Sequence, residues 1–177
     1  MIVSRPDYQP IPTGMQPAVI ANIIDLGLQP GFREIDPPRR RVAILFELLE
    51  RRSDGARFLI SEEYTATLAD DSNLRKMLEG WADRLMTTEE LEGFELNKIK
   101  GKACTLELVK KPKSNSPGVW VSIAQVHKRT RNIPAWVPET SETFIPDYLI
   151  RRMCEAITIP EAPDSFNEID PADAGPF

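Results

Sequence analysis

Apolar residues fall into two rhythms along the chain. Five stretches are β-branched or continuously apolar over strand-like lengths: "AVIANIIDLG" (18–27), closed by Gly27; "VAILFELLE" (42–50); "RFLISEEYTATL" (57–68); "ACTLELVKK" (103–111); and "VWVSIAQVHK" (119–128). Between the third and fourth the period changes. In "DSNLRKMLEGWADRL" (71–85), Leu74, Met77 or Leu78, Trp81 and Leu85 recur every three or four positions, which predicts an amphipathic helix capped by Asp71 or Ser72. "TTEELEGF" (87–94) predicts a second, short helix: Thr87 or Thr88 caps it, acids fill its first turn, and Gly93 ends it. "IPDYLIRRMCEAI" (145–157) predicts one more.

The connections carry turn chemistry. "LQPGFREIDPPRRR" (28–41) holds three prolines and a glycine and predicts a long exposed loop. Asp54-Gly55 marks a hairpin, "KIKGK" (98–102) a basic turn, and "PKSNSPG" (112–118) a loop. The resulting order is β-β-β-α-β-β. A mainly β fold follows: a five-stranded, OB-fold-like barrel with a helix between strands 3 and 4 and a C-terminal helical appendage. Other five-stranded barrels and α+β sheets share this count. The expected divisions are a flexible arm (1–16), the OB-fold core (17–128), the appendage (129–160) and a disordered acidic tail (161–177).

Composition narrows the class. The 177 residues are 41% hydrophobic and 28% charged, as in ordinary globular proteins. No apolar run approaches the roughly 18 residues that a membrane span needs, and residues 1–12 contain no apolar signal region. The expected location is therefore cytoplasm. Two cysteines and one histidine offer neither a disulfide framework nor a metal-ligand spacing, so no cofactor is expected. The net charge of −5 hides an asymmetry: residues 139–177 carry nine acids and two bases, and residues 1–138 carry 18 acids and 20 bases. A mildly basic body is joined to an acidic tail.

The stretch "NLRKMLEGWADRLMTTEELEGFELNKIKGKACTLELVKK…VWVSIAQV" resembles a family of bacteriophage single-stranded DNA-binding proteins of replication and recombination modules. "IDLG" near the first strand, the Leu-Arg-Lys helix with a tryptophan one turn on, "GKAC" before the fourth strand and "IPDYLIRRM" after the barrel carry the likeness, across roughly residues 17–157. The Pro-Arg-rich loop 30–41 has no counterpart in that pattern. The resemblance implies an OB-fold that binds single strands without chemistry, in a host cytoplasm.

A protein that coats single strands needs cations for phosphates and ring faces for bases. Five basic clusters fall at strand ends or loops: Arg39-Arg40-Arg41, Arg51-Arg52, Lys98-Lys100-Lys102, Lys110-Lys111-Lys113 and Lys128-Arg129-Arg131. The aromatic candidates are Phe32, Phe58, Tyr64, Trp120 and Trp136, with Phe58, Tyr64 and Trp120 chosen for the site. If Val119, Val121 and Ile123 face the core, Trp120 stands on the outside; the rival reading packs it under the C-terminal helix. Trp81 and Phe46 read as core. The tail "SFNEIDPADAGPF" places acids before Pro176-Phe177 and resembles the acidic tip of bacterial single-strand binding proteins. That likeness implies that Asp170, Asp173, Pro176 and Phe177 recruit replication or recombination proteins. A homo-oligomer is compatible with the sequence. Two alternatives remain: an interaction module (recombination accessory or host inhibitor) using the same barrel, and a metal-dependent nuclease using Glu62, Glu63, Asp70 and Asp71.

Overall fold

The computed structural model describes residues 8–158. Five strands form one antiparallel sheet: β1 (Gly14–Gln29), β2 (Arg39–Arg51), β3 (Arg57–Thr65), β4 (Ala103–Pro112) and β5 (Val119–Lys128), in the order β3-β2-β1-β4-β5. The long β1 organises it. Residues 14–19 pair with β4 and residues 18–29 pair with β2, so one strand belongs to both halves. Register shifts at Ile20/Asn22 and Asp25/Gly27, both within the β1–β2 ladder, bend β1 there. The outer strands, β3 and β5, do not pair with each other, and the sheet is open there.

Helix α1 (Asn73–Ala82) lies at that opening, packed chiefly on β5 and also against β3. Ser72 caps it, with its side chain accepting from the Arg75 N–H. Gly80 is the point of closest approach: a Cβ there would meet the Val126 carbonyl at 2.5 Å. Helix α2 (Thr88–Glu92) starts with a capping box between Thr87 and Glu90, and a 3-10 turn (Leu96–Ile99) leads into β4. After β5 the chain runs irregularly to α3 (Asp147–Cys154). Among the described residues no helix is long and apolar enough to cross a membrane.

The sheet has apolar packing on both faces. On one, Val42, Ile44, Phe46 and Leu48 of β2 join Ile20, Leu106, Val126 and the α1 residues Leu74, Met77 and Leu78. On the other, Ala43 and Leu45 join Ala21, Ile24 and Leu26 beneath Leu149 of α3, with Ile145 beside them. The apolar run 42–48, broken only by Glu47, has this cause: a strand covered on both sides has no solvent face.

Several boundaries differ from expectation. Arg39, Arg40 and Arg41 are strand residues paired with Gln29, Leu28 and Gly27, because β2 begins where the β1 ladder ends and not after the arginines. The loop shortens to 30–38 accordingly, and Gly14, Met15 and Gln16 belong to β1 through pairing with β4, not to a loose arm. β3 stops at Thr65, three residues early. Residues 159–177, including Asp170, Asp173, Pro176 and Phe177, lie outside the described residues.

Candidate nucleic-acid interface

The β4–β5 hairpin extends past the sheet. Every residue from Lys110 to Trp120 is exposed. Lys111 pairs directly with Trp120, Lys110 with Val121 and Pro112 with Val119, and the Lys113 N–H donates to the Gly118 carbonyl at 3.1 Å. Residues directly opposite in an antiparallel pair share a face, so a lysine and an indole stand side by side. Trp120 is 48% exposed, while Val121 and Ile123 pack against the core. The expected division of β5 into a core face and an outer face holds for these three; Val119 is itself exposed, because at this end the hairpin has left the sheet. Helix α3 does not cover Trp120, since it packs on β1. Lys110, Lys111 and Lys113 make no ion pair with a described carboxylate; Lys111 stands close enough to Glu62 to favour its charged form, against the burial that pushes the Glu62 carboxyl upward.

The arginines behave differently. Arg40 is clamped by Asp25, Arg52 by Asp54 and Arg51 by Glu139. Arg41 lies 3.6 Å from Glu63, and its Nε is enclosed without a hydrogen-bond acceptor. Arg39 alone of these five has no ion-pair partner among the described residues. With Arg40 and Arg41 it lines a groove of about 570 Å³ whose other wall includes Glu63, Tyr64, Thr67, Asp71 and Asn73.

The remaining basic candidates gather at the other end of β4 and β5, where Cys104 pairs with Lys128. Lys100 is 3.7 Å from Glu142 and Lys128 is 3.8 Å from Asp83, whereas Lys98, Lys102, Arg129 and Arg131 make no ion pair with a described residue. With Arg39–Arg41 beginning β2 and Arg51 ending it, the five clusters do not form one continuous rim.

Two aromatic expectations are corrected. Phe58 and Tyr64 are 7% and 6% exposed and belong to the main core, so neither offers a ring face to a base. Their strand alternates in register with Ile60, and that face is the interior. Burial also pushes the Tyr64 hydroxyl well above its ordinary range. Trp136 is engaged too: its indole N–H donates to Glu47 at 3.3 Å, and the Arg57 guanidinium lies 5.4 Å from the ring centre.

Glu47 was not singled out by the sequence reading. It is fully buried on the second face of β2. Its carboxylate accepts from the Trp136 indole, the Glu139 N–H at 3.1 Å, and the Thr140 N–H and hydroxyl at 2.8 and 2.7 Å. Farther along, Asn22 donates to the Phe144 carbonyl, Gln29 to the Arg152 carbonyl, and Arg152 to both oxygens of Glu63. These contacts fasten residues 136–157 as a strap across β1, β2 and β3. The signal for it was Glu47 itself, an acid inside an apolar run that has no solvent face.

The acids considered for metal chemistry are dispersed. Glu63 is taken by Arg152, and Asp70 by Arg75 at 2.5 Å. Among the described residues no three His, Cys, Asp or Glu side chains are grouped to hold a metal ion. His127 contacts Glu107 at 3.2 Å across the β4–β5 ladder. Compared with known proteins, the sequence matches no family model and no curated protein.

Proposed function

We propose that the protein binds single-stranded DNA without catalysing a reaction, in phage replication or recombination, on an OB-type barrel whose acidic tail recruits partner proteins. The strand order β3-β2-β1-β4-β5, with α1 following the third strand and lying at the opening between the outer strands, supports the OB reading. The observation that carries DNA binding is the β4–β5 hairpin. There an exposed indole stands opposite Lys111, on a hairpin that carries two further lysines, and none of the three makes an ion pair with a described carboxylate. Stacking and phosphate contact are the two needs of a protein that accepts any single strand.

A gel shift with labelled oligonucleotide, with and without magnesium, tests this. The expected result is a shift in both conditions, no cleavage, and affinity that falls steeply as salt rises through counterion release. Cleavage only with magnesium would replace the proposal with a nuclease. No shift at low salt would leave an interaction module, and affinity indifferent to salt would remove the lysine contacts.

A further inference from the structure

The loop between β1 and β2 is built to hold a ring in solvent. Residues 30–38 are closed at the base by the Gln29–Arg39 pair. Within the loop, the Asp36 N–H donates to the Arg33 carbonyl at 2.9 Å, and the Asp36 carboxylate accepts from both the Arg33 backbone and its guanidinium. Gly31 lies so close to the backbone of Asp36 that a Cβ would collide with it. These constraints fix a compact turn, yet its largest apolar side chains point away: Phe32 is fully exposed and Ile35 is 81% exposed. A ring that buries nothing contributes nothing to folding, so the turn is shaped for something outside the chain.

The surroundings indicate what that is. At the loop's base is Arg39, which has no described ion-pair partner; it opens onto the groove that Arg40, Arg41, Glu63 and Asp71 also line, where Arg40 and Arg41 are already paired with carboxylates. Arg33 and Asp36 neutralise each other, leaving Glu34 as the loop's one acid outside an ion pair among the described residues. A bare ring on a short loop that returns to Arg39, an arginine with no ion pair to a described residue, matches a base stacked on the ring with its phosphate on that arginine. It matches a protein partner less well, since that would need a broader apolar patch around the ring.

We infer that Phe32 is a second stacking platform for single-stranded nucleic acid, with Arg39 as its phosphate ligand, separate from the Trp120 hairpin. The inference rests on the single-strand reading above. Fluorescence anisotropy with labelled oligodeoxythymidylate tests it. Phe32→Ala should weaken binding roughly 5- to 150-fold, the range for loss of one stacked base, with an unchanged melting temperature. Phe32→Trp should keep affinity and add a DNA-quenched fluorescence component. If Phe32→Ala binds like wild type while Trp120→Ala is impaired, this inference falls and the single-strand reading stands. If wild type does not bind at low salt, both fall. A lower melting temperature for Phe32→Ala, or loss of self-association with DNA affinity unchanged, would also overturn it.

Discussion

The surface over β1–β2–β3 and the β4–β5 hairpin are both rich in positive charge, but the fold uses that charge in opposite ways. Over the three-stranded half, Arg40, Arg51 and Arg52 are each taken by a carboxylate, and the strap fastened to Glu47 covers the sheet. On the hairpin, three lysines and Trp120 face solvent, with no ion pair to a described residue and no cover. Counting basic residues would rank the two regions alike. What separates them is whether the charge has already found a partner. A guanidinium held by a carboxylate must lose that contact before it can gain a phosphate, and an unpaired lysine loses only water and counterions.

The largest expected effect lies on the covered side. Glu47→Ala removes the acceptor of four hydrogen bonds in a buried site and should cost roughly 2–4 kcal/mol of stability, read by denaturant unfolding. The hairpin should still bind oligonucleotide at temperatures where the variant is folded. Wild-type stability would mean that the strap is draped and not latched.

On the open side, Trp120→Ala should weaken single-strand binding by about 1–3 kcal/mol in fluorescence titration without lowering the melting temperature. If it melts the protein instead, the indole is a packing residue and the contrast between the halves disappears. Neutralising Lys110, Lys111 and Lys113 together should flatten the slope of log affinity against log salt by about 2, at about 0.7 per phosphate contact on a single strand. Replacing Arg51 and Arg52 should leave that slope nearly unchanged. An equal effect from both sets would show that intramolecular pairing does not decide the matter.

The smallest effects concern Glu62 and the tail. Burial raises the Glu62 carboxyl pKa above its ordinary value, so the folded state favours the neutral acid. An acid with a raised folded pKa opposes folding once pH exceeds the unfolded value, and the opposition is complete above the folded one. Glu62→Gln should therefore raise the melting temperature at pH 7 and have little effect near pH 4; equal melting curves at pH 7 would contradict the burial. Deleting residues 164–177 should leave oligonucleotide affinity the same or slightly higher, most at low salt, where a competing polyanion is least screened. Loss of binding would make those residues part of the site, and Phe177→Ala with every pulled-down partner retained would remove the recruiting role.

The strands were legible because hydrophobic pattern and turn chemistry agree along most of the chain. β5 was read to the residue, and Ser72 and Thr87 were among the caps read from the sequence. Arg39–Arg41 were misplaced because three prolines and a glycine look like loop for as long as they last, and pattern alone does not reveal how far a neighbouring strand extends its ladder. Ring type alone does not place Phe58 and Tyr64; their strand parity with Ile60 does, and it puts both inside. The strap was illegible for a different reason. Its donors, Trp136 to Thr140, lie about ninety residues from Glu47, and no local periodicity encodes so distant a contact.

The double membership of β1 has a consequence for how the chain reaches this structure. The β2–β3 and β4–β5 hairpins are local and can zip early, but Gly14–Val19 must wait for Ala103–Leu108, and Leu149 arrives later still. Until then a growing or refolding chain shows the apolar residues of β1 and β2 on both sides at once, without the covers that the last third of the sequence supplies. Refolding yield should accordingly fall as protein concentration rises, with association competing against the final long-range closure.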